Sequence, residues 1–358
     1  MAETGWEIAE PQKSVFGDPV RSLHVRLVNG TVNVVGTDED AARLEVSELD
    51  GPPLRVTLKD GALSVAYEDL PWKGFLKWLD PKGWRRHAVV SLAVPSGTAV
   101  EVGTVRATAT VSGIAGRTSV RGVHGETTLV GLSGDVRAET VTGNVEVQAV
   151  TGDLRFTSVS GDLTVVAAGP SVKADSVSGD MIVDVDADAA SGATGGGATE
   201  GGTTARGATD IRLTSVSGEI AIRLPHPADA VVEADTTSGA VSNAFEDLRV
   251  GGEWGAKRIT GRLGAGTGAL KATTVSGAIA LLRRPQPEPQ EEPQEKTYES
   301  TYEETYEEKE AGEAGETREA GDGTPGAPRT QADGKNPPSD TPPADTPPAG
   351  DSTTGKVL

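Results

Sequence analysis

Between Ile114 and Val185 the chain alternates apolar and polar residues in short runs, each punctuated by glycine. Val141, Thr142, Gly143, Val145 and Val147 set the pattern. It recurs as Val150, Gly152, Leu154 and Phe156, as Val159, Gly161, Leu163 and Val165, and as Val177, Gly179, Met181 and Val183. Farther along, Val216, Gly218, Ile220 and Ile222 and then Val275, Gly277, Ile279 and Leu281 follow the same rule. Positions two before, two after and four after each glycine share one parity, so on an extended chain they face one side, with Glu146, Arg155, Thr164 and Ile182 on the other. The pattern predicts short β-strands with one apolar face.

The spacing is regular. Gly116, Gly125, Gly134, Gly143, Gly152 and Gly161 lie nine residues apart, Pro170 takes the next place, and the series resumes at Gly179. Related segments occur out of phase at Gly30, Gly218, Gly239 and Gly277. One such segment cannot bury its apolar side alone, whereas stacked copies make a continuous interior. The expected fold is therefore all-β: a single-stranded β-helix, or β-solenoid, of glycine-punctuated nonapeptides over residues 20–284. In this reading glycine supplies the backbone freedom for the bend between strands. An antiparallel sandwich of hairpins is the competing reading. Varied loop lengths and aromatic core anchors, usual in sandwiches, are not the pattern here. Spacing leaves open whether two or three nonapeptides complete a coil.

Composition agrees with a narrow aliphatic interior: aromatic residues are 4% of the chain, against 46 glycines. The chain has no cysteine, which removes disulfides, thiolate metal sites and cysteine nucleophiles. The net charge of −20 is uneven. Residues 285–358 carry 18 acidic and 6 basic side chains and 12 of the 22 prolines, and read as a disordered acidic tail. Residues 1–19 read as a lead-in. An acidic chain lacks the clustered cations that gather phosphates, so nucleic acid is not an expected partner. Met1 to Glu10 shows no basic region followed by an apolar run, and no stretch approaches the roughly 20 apolar residues of a spanning helix. A cytoplasmic location, with membrane association as an addition, is the expectation.

Two segments interrupt the repeat. Residues 71–87 hold three of the five tryptophans, and Trp72, Phe75, Leu76 and Leu79 fall at helical spacing beside Lys73, Lys77, Lys82, Arg85 and Arg86. Aromatics flanked by cations suit an interfacial membrane contact. An amphipathic turn covering an open edge is the plainer alternative. Trp72, Lys73, Phe75, Lys77, Trp78, Trp84, Arg85 and Arg86 are accordingly the candidate membrane or partner contacts. Residues 187–209, rich in Gly, Ala and Thr, read as a flexible excursion.

No catalytic, cofactor or metal site is expected. Asp135, Asp153, Asp162 and Asp180 each follow a repeat position, as do Glu126, Asn144 and Glu219. Stacked oxygens could hold Ca²⁺. Asp and Asn also favour turns by bonding their own backbone, which explains these positions more simply. His24, His87, His124 and His226 form no i, i+4 pair. Gly264, Gly266 and Gly268 lack the Lys-Ser/Thr ending of a phosphate loop.

The Val-[Ser/Thr]-Gly-[Asp/Asn/Glu] repeats, the strand-Pro-loop-strand blocks at 92–102 and 222–234, and the closing segment at 270–282 resemble the bacterial β-strand-repeat family known as putative adhesins. The resemblance spans about residues 20–284 and implies a β-helical fold with Gly125, Gly134, Gly143, Gly152, Gly161, Gly179, Gly218, Gly239 and Gly277 as structural repeat positions. It brings no catalytic residues. The expected function is a non-enzymatic scaffold or adhesin-like interaction protein with an unknown protein or cell-envelope partner. Self-association into a bactofilin-like filament is the alternative, and a carbohydrate-active enzyme is a third.

Overall fold

A computed structural model describes residues 4–67, 86–169, 171–185, 209–253 and 255–284. They lie within a unit running from Met1 to Gln290. All regular structure among the described residues is β, and 24 strands join one sheet. The segments at 68–85, 186–208 and 285–358, with the Trp-rich run, most of the Gly-rich excursion and the acidic tail, lie outside the described residues.

The nonapeptide strands pair in parallel, not as hairpins. Each pairs with the strand two places farther along the chain, so Val136 faces Leu154 and Leu154 faces Val172, a step of 18 residues. The intervening strands form a second ladder with the same step: Val145 faces Leu163, which faces Met181. One ladder contains Thr118–Gly122, Val136–Thr140, Leu154–Ser158, Ser171–Asp175 and Asp210–Thr214. The other contains Thr127–Val130, Val145–Val150, Leu163–Ala168, Met181–Val185 and Ile220–Leu224. Two nonapeptides therefore make one repeat.

In one buried column small side chains flank the large ones over four strands. In register on the first ladder and its continuation stand Ala138, Phe156, Ala174, Leu213, Ala272 and Ala234, so the Phe156 ring lies between two alanines. Large against small lets successive layers interdigitate at interior density without a wide core.

Both ends depart from chain order. The strand Gly268–Thr274 sits between Asp210–Thr214 and Ala230–Thr236, so the last repeat in sequence is next to last in space. The mirror arrangement holds at the other end. Ser22–Thr37, 16 residues long, lies between Ala99–Ser112 on one side and the pair Ala62–Tyr67 and His87–Pro95 on the other. Antiparallel strands then cover three outermost edges: Leu54–Lys59 and Thr4–Ile8 on Ala62–Tyr67, Ala42–Asp50 and Gln12–Phe16 on His87–Pro95, and Lys257–Leu263 and Leu248–Gly251 on Ala230–Thr236. The second ladder ends instead on the three-residue strand Val241–Asn243, parallel to Ile279–Arg283.

Candidate interaction surface

Two kinds of corner join the ladders, and they use glycine differently from the sequence expectation. Gly125, Gly143, Gly161, Gly179, Gly218, Gly277 and Gly239 stack in one column. A β-carbon on Gly179 would stand 2.0 Å from the Gly161 carbonyl oxygen, and one on Gly277 1.8 Å from that of Gly218. The second corner stacks Gly116, Gly134 and Gly152, where a β-carbon on Gly152 would meet the Gly134 oxygen at 2.2 Å. Close approach of backbone to backbone excludes any side chain here. Of these repeat glycines only Gly125, at φ 109°, has a positive φ, so freedom to bend is not what most of them supply.

In the first corner the polar positions of the Ser-Val-Ser-Gly-Asp motif each have a distinct partner. Ser158, Ser176, Ser215, Thr236 and Thr274 are buried three places before a glycine, and each hydroxyl accepts that glycine's N–H, as Ser176 does from Gly179 at 2.9 Å. The hydroxyl one place before the glycine donates to a carbonyl in the neighbouring repeat, Ser178 to Val159 at 3.2 Å. The residue after the glycine accepts a backbone N–H from the next repeat: Asn144 from Asp162 at 3.1 Å, Asp162 from Asp180 at 2.9 Å, Asp180 from Glu219 at 2.7 Å. Backbone capping thus engages Asp162 and Asp180, two of the carboxylates that sequence reading weighed as calcium ligands, and no cluster of three or more metal-ligand side chains occurs among the described residues.

The valine two places before the glycine corrects another expectation. Val150, like Ile114 and Leu132, is buried in the second corner, but Val159 and Val177 are 51% and 49% exposed in the first, and Val216 and Val275 are exposed likewise. The parity rule fails because the two corners turn the chain by different routes. Gly113, Gly131, Ala149 and Ala167, 18 residues apart, all take positive φ in the second corner, at 67°, 63°, 52° and 55°. That left-handed residue swings the next apolar side chain inward.

The residues singled out in the Trp-rich run, Trp72, Lys73, Phe75, Lys77, Trp78, Trp84 and Arg85, lie outside the described residues. Arg86 is described. Its carbonyl accepts both the backbone N–H and the side-chain amide of Asn29, each at 3.1 Å, and its guanidinium stands 5.6 Å from the centroid of the Tyr67 ring. Burial pushes the Tyr67 phenol up to about 12. Three of the four histidines belong to separate pairs: His24 with Glu101 at 3.3 Å and His87 with Glu48 at 3.4 Å across strands, and His124 with Thr142 across neighbouring corners.

Sequence reading did not single out the outward face of the first ladder. Arg137, Arg155, Lys173, Arg212 and Lys271 stand in register on five adjacent strands. A shallow concavity of about 410 Å³ opens over this file, lined by Arg117, Arg137, Arg155, Lys173, Asp135 and Asp153 among others. The signal was in the sequence: Arg137 and Arg155 lie three places after Gly134 and Gly152, Lys173 three after Pro170, and Lys271 three after Gly268. It is visible only when alternate nonapeptides are compared.

Among the described residues no helix is long and apolar enough to cross a membrane. No family model matches the chain, and no curated protein does. Two solved structures are similar. One is a "putative cell adhesion protein" from Clostridium sporogenes ATCC 15579, 11% identical over 77% of this chain and 100% of that one, with a TM-score of 0.24. The other is a "Putative lipid binding protein" from Parabacteroides distasonis ATCC 8503, 10% identical over 77% of this chain and 98% of that one, with a TM-score of 0.31. At these scores neither likeness carries an inference about this chain.

Proposed function

We propose that residues 20–284 form a single-chain β-solenoid, two strands to each 18-residue coil, that serves as a rigid, non-enzymatic, adhesin-like interaction scaffold. The observation that carries the reading is the constant 18-residue step between parallel strands over Val136, Leu154 and Val172 and over Val145, Leu163 and Met181. Chains built this way fix outward side chains at regular intervals on a surface held by neighbouring coils. The interior columns are almost wholly apolar, and the buried hydroxyls of Ser158, Ser176, Ser215, Thr236 and Thr274 are spent on backbone groups, which leaves recognition to the outside. A partner, protein or cell-envelope component, meets those outer faces, and residues 71–87 add a peripheral membrane contact.

The covered ends favour a discrete scaffold over a filament. Growth by stacking needs long open parallel edges, whereas antiparallel strands lie on three of the end edges here and the fourth is a strand of only three residues, Val241–Asn243. Sedimentation velocity across a wide concentration range is the test. A single small species at every concentration is expected, and a species that grows with concentration supports the filament instead. Co-sedimentation with anionic liposomes tests the membrane element: wild type partitions and Trp72→Ala with Trp78→Ala does not, while equal partitioning of both removes that element.

A further inference from the structure

We infer that the cation file on the outer face of the first ladder is a binding site for an extended acidic polysaccharide. The inference rests on the scaffold reading and supplies its partner class. Adjacent strands are about 4.8 Å apart, so Arg137, Arg155, Lys173, Arg212 and Lys271 set five positive charges along about 19 Å. Like charges directly opposite on neighbouring strands are destabilising, and this chain is acidic overall, with a net charge of −20. The file is only partly neutralised within the protein. Arg137 pairs with Glu139, Lys173 with Asp210 at 3.7 Å and Lys271 with Glu233 at 3.2 Å. The side chains of Arg155 and Arg212, both exposed, have no ion pair or hydrogen bond among the described residues.

The flanks decide which polyanion fits. Asp135, Asp153 and Asp210 lie on one side of the file, and Glu139, Thr157, Asp175, Thr214 and Thr273 follow one another in register on the other. The positive stripe is therefore one side chain wide. A membrane of anionic lipids or a nucleic-acid duplex spreads negative charge across its width and would be laid on those carboxylates as well as on the cations. A single extended chain avoids them. The flanking carboxylates only accept hydrogen bonds, which sugar hydroxyls donate and polyphosphate or polyglutamate side chains do not, and the threonine hydroxyls bond to either kind of group. Uronate carboxylates or sulfate esters along a sugar chain would pair with the file while ring hydroxyls bond to the flanks.

The test is titration calorimetry of the full chain with polygalacturonate and with dextran sulfate, which separate the two acid groups, against neutral dextran, polyglutamate and single-stranded oligothymidylate. Binding to at least one acidic polysaccharide and to none of the three comparison polymers is expected. Arg155→Glu with Arg212→Glu should weaken it at least about tenfold and flatten its salt dependence, because contacts that release counterions are lost. Lys13→Glu with Arg43→Glu should leave it unchanged. No binding to either acidic polysaccharide, equal binding to polyglutamate or oligothymidylate, or equal loss in both double variants would overturn the inference. Sedimentation and circular dichroism on the same samples keep the scaffold reading separate: a folded, discrete protein that does not bind refutes only the polysaccharide site.

Discussion

The carbonyl oxygen of Gly161 lies 2.0 Å from the point that a β-carbon on Gly179 would occupy. No rotamer relieves that clash, because the obstacle is backbone. Gly179→Ala must push two repeats apart and lengthen ladder hydrogen bonds, at a cost above about 2 kcal/mol. Gly131, with nothing within 4 Å of the same point and φ 63°, is the comparison. Gly131→Ala meets only left-handed strain of about 1–2 kcal/mol, partly offset in the unfolded chain. Urea unfolding of both variants checks the order, and equal midpoints would refute the stacked glycine column.

Ser176 is buried and accepts the Gly179 N–H, while Ser178 is exposed and donates to a carbonyl that already receives its backbone N–H at 2.9 Å. Ser176→Ala leaves a buried donor unmatched and should cost about 1–3 kcal/mol. Ser178→Ala should stay within about 0.5 kcal/mol. The two variants remove the same atom two residues apart, so chemical denaturation isolates the effect of position.

Ala149 and Ala167 stand at φ 52° and 55°, where the equivalent residues of other repeats are Gly131 and Gly113. Ala149→Gly relieves about 1–2 kcal/mol of left-handed strain against about 0.4–1 kcal/mol of added unfolded-state entropy. The variant should melt at a higher temperature than wild type by calorimetry, and a lower one would mean that strain is not the governing effect.

Tyr67 couples stability to alkaline pH. Its phenol titrates near 12 in the folded protein, raised by burial, and near 10 when unfolded. The unfolded chain therefore releases this proton first, and the folded state loses stability as pH climbs through that window, by on the order of 2 kcal/mol in all. Below the window there is no contribution. Tyr67→Phe should flatten the decline in a pH series of denaturation curves.

The glycine period and the alternation within strands were legible because each is a local consequence of the pleat. Phe156, Leu163 and Met181 are buried where parity put them. Val159 and Val177 were misplaced because the residue that steers a corner lies three places before the glycine: Ser158 and Ser176 in one kind, Gly131 and Ala149 in the other. Comparing these positions also shows that two nonapeptides make one repeat. The interleaved ends were not legible. Ser22–Thr37 carries one isolated copy of the repeat signature, at Gly30, and its placement between Ala99–Ser112 and His87–Pro95 depends on pairing far apart in sequence. Arg155 and Arg212 escaped notice for a related reason, since one cation per 18 residues looks sporadic until the step is known.

That step can be measured directly, in a chain with no native cysteine. Thr157 and Asp175 face each other across adjacent parallel strands, at a Cα separation of about 4.8 Å, within disulfide reach. Thr157→Cys with Asp175→Cys should oxidise to an intramolecular disulfide in the folded protein, seen by mass spectrometry and non-reducing electrophoresis, whereas Thr157→Cys with Val166→Cys should not. A disulfide in the nine-residue pair and none in the 18-residue pair would contradict the account.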